Sequence, residues 1–445
     1  MGTKDLFGDA SDDAKAPKKR REPQGEARLM RADRHQVRLL PVDLDGILEA
    51  DHQARSIWRM VESLDLSKLE EAIRARGDNA GRPAIDPKIL LTLWLYGISE
   101  GVGSARELER LCEAHNAYRW ICGGVHVNYH TLSDFRVAHQ EALDDLMSQI
   151  LGVMLHNGLV ELTRVAHDGM KVRASAGAAS FRREKSLKRC LREAGDHIRK
   201  VTQDAHDSEG RSRHEAAIKR AAEEREERIQ EALKQLPEAR ASKLRSKGNH
   251  SNPAEVRVST TDPEARVMRM ADGGFRPAYN VQITTAVTGR AIVAVRVSNS
   301  GGDDRQLPPS LDEMQKRTGT LPCEVLADGA YGNKETIEDS ARRGVSLFAP
   351  PRPAKKEGVD PYQPKPHDSA SVAAWRLRMA EPKSKEIYKQ RAAVAETVNA
   401  DLRTWRGLDQ IPVRGLARAR SVALLAALTY NVLLLISKMS PNTDE

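Results

Sequence analysis

Three acidic residues stand out by their settings. Asp328 closes the apolar part of Val325–Tyr331 (VLADGAY), where a short run delivers a carboxylate into a glycine turn and then a tyrosine. Such a run reads as a buried strand with the acid at its carboxyl end. Asp168 has the same form within Arg164–Arg173 (RVAHDGMKVR), and Glu396 lies far downstream on a basic helical segment, Tyr388–Arg403. Hard ions such as Mg²⁺ or Mn²⁺ take oxygen ligands, and two of them about 3.5–4 Å apart serve an in-line displacement at phosphorus. One aspartate shared by both ions, with a further carboxylate for each, meets that need. Asp168, Asp328 and Glu396 are therefore the candidate catalytic residues and metal ligands of a phosphoryl-transfer site. Singly, an Asp-Gly after a strand is more often a plain turn, and a Glu among arginines a solvated ion pair. Joint placement is what lifts these three.

The segment around Glu396 supports its choice. At about 100° per residue in an α-helix, Tyr388, Glu396 and Arg403 fall within about 80° of one another, with Arg391 near the same arc. Glu386 points the other way. Lys171, Arg173, Arg391 and Arg403, with Tyr388 as the aromatic on that face, are the candidates for holding phosphates near the acids.

Composition agrees with such a partner. The 445 residues carry a formal net charge of +8 and a sequence pI of about 9.2, which favours a polyanion. Cys112, Cys122, Cys190 and Cys323 show no paired spacing, as suits a reducing cytoplasm. His126 and His130 have the H-x3-H spacing of a zinc finger, but Cys112 and Cys122 are too far apart for its other half, so plain core cysteines are the better reading. The N-terminus lacks the apolar stretch of a secretory signal. Val422–Ile436 is apolar but too short to span a bilayer and reads as a buried helix, so a membrane is not an expected partner.

The elements that must position the acids follow in order. Residues 1–30, including Lys18–Arg21 (KKRR), read as a disordered tail. Residues 31–158 read as an all-α domain. There, Asp86-Pro87 opens the apolar helix Lys88–Ile98, Gly101-Val102-Gly103 breaks it, and Ser104 with Glu107 forms a capping box for the next helix. This pair outlines a helix-turn-helix for DNA contact, with Arg106 on its second helix. Thr131 and Asp134 predict the cap of one long helix through Leu155. Residues 178–250 are dominated by Lys, Arg, Glu and Ala, and the seam Leu187, Leu191, Ile198, Val201 predicts a charged helical hairpin inserted into the core domain.

That core occupies 159–177 and 251–440. Glu161–Arg173 predicts its first strand, followed by strands over Arg266–Met270, Tyr279–Val287 and Ala291–Val297, the last two joined by the hairpin turn Thr288-Gly289-Arg290. A helix over Asp303–Lys316, a strand over Glu324–Asp328, a helix over Lys334–Arg343 and a strand over Val345–Phe348 come next. A proline-rich loop, Pro350–Ala370, precedes two helices, Lys383–Arg406 and Leu416–Met439. The class is mixed α/β, and the order is that of the ribonuclease H fold. Counting the two strands of the hairpin as second and third, the first and fourth strands of that fold lie side by side, which would bring Asp168 and Asp328, at their ends, together.

At these residues the chain resembles the DDE transposases of bacterial insertion sequences, which have a helical N-terminal domain and a ribonuclease H-like core. The likeness runs from about Leu39 to Met439 and includes HDGMKVRA around Asp168, AYNVQ at Ala278–Gln282, LADGAYGN around Asp328 and YKQRAAVAETVNADLR for the third acid. In the family the third acid belongs to a motif of Tyr, Arg, Glu and Lys. Tyr388, Arg391 and Glu396 match it, Arg403 takes the place of the lysine, and four residues separate Arg391 from Glu396 where the motif is often written with three. The resemblance implies metal-dependent cleavage and strand transfer at element ends, with two Mg²⁺ ions for which Mn²⁺ substitutes. It implies double-stranded DNA as partner, a homodimer or larger assembly on it, and a place at the nucleoid in the cytoplasm. A nuclease of the same fold without strand transfer, or an inactive DNA-binding regulator, is the alternative.

Overall fold

The computed structural model describes residues 43–75, 83–207, 213–247, 252–353 and 358–439. The expected tail over residues 1–30 lies outside them. The segment from Asp43 onward forms one compact unit.

The chain begins with helices α1 (Gln53–Glu62), α2 (Ser67–Glu71), α3 (Pro87–Ser99), α4 (Ala105–Ala114), α5 (Asn116–Cys122), α6 (Tyr129–Ala138) and α7 (Gln140–His156). Asp86 caps α3 with Pro87 in its first turn, and Ser104 caps α4 by accepting from the Glu107 amide. Helix α3 is buried along nearly its whole length, so of this pair α4 alone offers a free face. The single helix expected from Thr131 to Leu155 is two. Asn128, not Thr131, caps α6, and His139 leaves helical geometry at φ −115°, ψ 38°, so α7 starts afresh at Gln140.

Strand β1 (Glu161–Arg173) follows, then a two-stranded ribbon of β2 (Phe181–Arg182) and β3 (Val258–Ser259) that brackets the insertion. Between them, α8 (Glu184–Asp207) and α9 (Arg213–Lys247) pack together around Leu187, Ala232 and Leu236, a small core apart from the main one. The main sheet continues with β4 (Arg266–Arg269), β5 (Phe275–Thr288) and β6 (Ile292–Ser298). Gly289 and Arg290 both take positive φ in the β5–β6 turn, as a tight hairpin requires.

Helix α10 (Leu307–Thr318) starts later than the sequence suggests. Pro308 and Pro309 sit in its first turn, where a missing N–H costs nothing, and this leaves Asp303 in the loop before it. Then come β7 (Glu324–Ala327), α11 (Lys334–Arg342), β8 (Ser346–Phe348), α12 (Ala370–Ala380) and α13 (Pro382–Arg391). A π-helical turn over Ala392–Glu396 leads into α14 (Thr397–Thr404), and α15 (Leu416–Met439) closes the chain.

The sheet order is β4-β5-β1-β7-β8, with β6 also pairing β5. β1 runs antiparallel to β5 and parallel to β7, and β7 runs parallel to β8. This mixed sheet with helices on its faces is ribonuclease H-like, behind a helical N-terminal region. Helix α15 is long and apolar enough to cross a membrane, but it packs against β6, α3, α6 and α7. It thereby joins the helical region and the sheet in one continuous core.

Candidate active site

The β1–β7 register decides where the two aspartates lie. Arg164 stands opposite Glu324, Val165 opposite Val325, Ala166 opposite Leu326 and His167 opposite Ala327. One step further along both strands puts Asp168 beside Asp328, on strands about 4.8 Å apart. The charge of Asp328 acts on Asp168: burial raises the Asp168 pKa most, and Asp328 repulsion adds to it, while Arg391 and the Gly169 amide oppose both. A buried carboxyl beside a second one calls for a nearby cation.

Arg391 supplies it. Its Nη2 lies 3.2 Å from Asp168 Oδ1 and its Nη1 3.6 Å from Glu396 Oε1. Asn399 Nδ2 donates to Asp168 Oδ2 at 3.1 Å. Tyr388 is close enough that burial and the charges of Asp328, Asp168 and Glu396 all raise its hydroxyl pKa, against Arg391. The three acids, scattered along the chain, therefore share one electrostatic neighbourhood.

The π turn explains how Glu396 reaches it. Val394 and Ala395 are buried against the sheet, while Arg164 of β1 donates to Gln390 on α13 at 2.8 Å. A regular helix has 3.6 residues per turn, so the extra residue between Arg391 and Glu396 would rotate one away from the other. A π turn bonds i to i+5 and absorbs one residue. Arg391 and Glu396, five apart, consequently face the same way. The single helix expected over Lys383–Arg406 is in this respect corrected.

Asp168 does not end its strand either. β1 continues five residues past it, and Gly169 keeps a non-positive φ. The glycine is there for space. A Cβ on it would lie 2.4 Å from Gln282 Nε2 and 2.6 Å from Asp303 Oδ1. Asp328, by contrast, does enter a turn, its Oδ1 accepting from the Ala330 amide at 2.6 Å.

A cleft of about 460 Å³ is lined by Asp168, Lys171, Glu396, Asn399 and Arg403, together with Arg269, Met270 and Asp303. Arg403 is exposed at its rim. Lys171 and Arg173 stand an odd number of residues from Asp168, so the period of two places them on the opposite face of β1. Lys171 Nζ is held by both oxygens of Asp303, at 2.8 and 3.0 Å, and Arg173 pairs with Asp409 at 2.5 Å. Neither is a free cation, and Arg173 does not line the cleft. Arg391 likewise faces the acids, its side chain only 14% exposed. Arg106 does not line this cleft; it lies on the exposed face of α4, its guanidinium over the Tyr129 ring.

Sequence reasoning missed Asp303, which was expected inside a helix. Besides Lys171, it accepts from Asn280 Nδ2 at 2.6 Å and Gln282 Nε2 at 2.9 Å, and Tyr331 donates to Gln282 Oε1 at 2.6 Å. Although burial raises the Asp303 pKa, Lys171 and these amides hold it below the usual carboxylate value. The Leu307-Pro308-Pro309 run was the signal that Asp303 precedes the helix. Asn280 and Gln282 were visible in AYNVQ, with no role attached.

Two family models match the chain. One described as a transposase domain (DUF772) covers residues 42–138, and one described as a transposase DDE domain covers residues 255–432. The chain belongs to the DDE transposases of insertion sequences. Its C-terminal match holds Asp328 and Glu396, whereas β1 with Asp168 falls between the two matched segments, cut off from the rest of the sheet by the α8–α9 hairpin. Comparison with curated proteins and with solved structures returned no match.

Proposed function

We propose that this enzyme cleaves DNA at the ends of an insertion sequence and joins the freed end to target DNA, with Asp168, Asp328 and Glu396 as its catalytic residues. The observation that carries the reading is the register of β1 on β7, which brings Asp168 beside Asp328 while Arg391 ties Asp168 to Glu396. Three carboxylates gathered round a single guanidinium make a hard-oxygen donor set of the kind that divalent cations take. Arg391 now occupies the space between Asp168 and Glu396, pairing with both. Two Mg²⁺, or Mn²⁺ in their place, would be held by the three acids and would supply activation of the attacking oxygen and charge neutralisation at phosphorus.

The chain's own groups do the rest. Asp168, on a strand paired on both sides up to His167, is rigid, whereas Glu396 is 66% exposed and able to swing as DNA arrives. Asn399 orients Asp168 through its 3.1 Å bond. Arg403 and Arg269 at the cleft rim offer charge to phosphates. In the first step water attacks the phosphodiester at the element end, releasing a 3′-hydroxyl and a 5′-phosphate. In the second that hydroxyl attacks a target phosphodiester, one P–O bond forming as another breaks, with the displaced 3′-oxygen leaving. Action on paired ends calls for a homodimer or larger assembly at the nucleoid, in the cytoplasm.

The test is cleavage of a plasmid carrying the DNA that flanks the gene, with Mg²⁺, by the parent and by Asp328→Ala. The variant is expected to be at least about a hundredfold slower; equal cleavage by both would remove the site. A pre-cut end separates a transposase from a nuclease, because the transposase joins it to target DNA.

A further inference from the structure

A second cleft lies on the far side of the β7 end from the Asp168–Glu396 cleft, and Asp328 itself lines neither. This cleft, of about 530 Å³, opens on the β8 side and is lined by Gly332, Lys334, Arg352, Lys365, Trp375 and Arg376. It touches the turn that carries Asp328: a Cβ on Gly329 would lie 2.9 Å from the Pro350 carbonyl, and one on Gly332 would lie 3.3 Å from the Trp375 ring. Because β1, β7 and β8 are parallel, their carboxyl ends share one edge of the molecule. The Asp168–Glu396 cleft, the Asp328 turn and the Arg352 cleft are met in that order along it.

The second cleft is cationic by construction. Four basic side chains line it, and the carboxylate facing them, Asp368, is already shared by Lys334 at 3.0 Å and Arg376 at 2.7 Å. Arg352 and Lys365 are exposed, and among the described residues neither side chain has an ion-pair or hydrogen-bond partner. The N-terminus of α11 opens here, with Lys334 as its first residue and Asn333 as its cap; free amides at such an end favour anions. Trp375 lines the cleft while only 2% exposed, and its indole N–H has no acceptor among the described residues.

We infer that this cleft is a second phosphodiester subsite, holding the DNA strand on the side of the scissile phosphate away from the Asp168–Glu396 cleft. The inference rests on the reading that Asp328 stands at the scissile phosphate. A strand laid across the carboxyl ends of β1, β7 and β8 enters over Arg269 and Arg403, passes Asp328, and leaves over Lys334, Arg352 and Lys365. Lys334 and Arg376 are fixed by Asp368 and shape the wall. Arg352 and Lys365 are the groups free to displace counterions.

The test measures binding of the full-length protein to a short random-sequence duplex, without divalent metal, as salt is raised. Removing two phosphate contacts in Arg352→Ala/Lys365→Ala is expected to make the slope of log affinity against log salt shallower by about 1.8, or about 1.4 if the strand there is single. Arg352→Glu/Lys365→Glu is expected to lower it further. Both side chains are exposed and unpartnered, so the melting temperature is expected to stay at the parent value. Lys316, exposed near the C-terminal end of α10 where the strands begin, is the control, and Lys316→Ala is expected to keep the parent slope. An unchanged slope in both pairs overturns the subsite, as does an equal loss per charge in the control. If Asp328→Ala still abolishes plasmid cleavage, the subsite alone has failed. If Asp328→Ala cleaves normally, the active-site reading has failed, whatever the slopes are.

Discussion

Gly169→Ala is the sharpest probe of how the site is built. The added methyl would stand 2.4 Å from Gln282 Nε2, 2.6 Å from Asp303 Oδ1 and 3.0 Å from Asn280 Oδ1. Carbon approaches oxygen to about 3.3 Å, so Gln282 and Asp303 must retreat by roughly 0.7–0.9 Å. Neither has slack, because Asp303 is bonded by Lys171, Asn280 and Gln282, and Gln282 by Tyr331. Losing one hydrogen bond to a charged group costs about 1.5–3 kcal/mol, and crowding adds about 1–3 kcal/mol. The expected total is roughly 3–6 kcal/mol, which at about 2 cal/mol/K per residue over a unit of about 400 residues reads as a melting temperature about 3–7 °C below the parent. Plasmid cleavage should fall as well, since the methyl pushes on the backbone next to Asp168. Gln282→Ala in the same chain removes the closest obstacle and should recover part of the loss, a coupling expected of residues in contact. A Gly169→Ala protein that melts within about 1 °C of the parent would refute the claim that the glycine is there for close approach.

Asp303→Asn removes the charge that neutralises Lys171, and the freed ammonium should steepen the salt slope of DNA binding by about 0.9, or about 3.5-fold more affinity lost between 50 and 200 mM salt. Lys171→Met should leave the parent slope as it is, and a shallower one would show Lys171 already on phosphate. Arg391→Gln leaves Asp168 and Glu396 without their shared cation, so it should melt lower than the parent in metal-free buffer and gain more from added Mg²⁺; equal gains would contradict the counter-ion role. Burial raises the Asp368 pKa, but the Lys365 amide, Arg376 and Lys334 together hold it down to about 2. A depressed carboxylate contributes stability above its unfolded pKa of about 3.9 and loses it as pH falls through the folded value. Asp368→Asn should therefore melt below the parent at neutral pH and converge on it near pH 2, as thermal melts across pH would show.

Local sequence determined a good deal of this protein. The strands that carry Asp168 and Asp328, the Thr288-Gly289-Arg290 turn, the charged hairpin and the buried last helix are each set by periodicity or by turn chemistry within a few residues, and each formed, although β1 runs on past Asp168 where a turn was expected. Other features depended on what packs against them. Whether Gly169 turned the chain or made room could be known only once Gln282 and Asp303 were brought against it from other elements. The helical-wheel reading of Tyr388–Arg403 assumed 3.6 residues per turn, and the buried pair Val394–Ala395 on the sheet fixes a π turn instead. Lys171 and Arg173 looked like phosphate ligands because their partners, Asp303 and Asp409, are distant in sequence and appear only in the fold. Residue type and short-range spacing decide which groups are capable of chemistry. Which of them are free to act depends on long-range neighbours that no local pattern records.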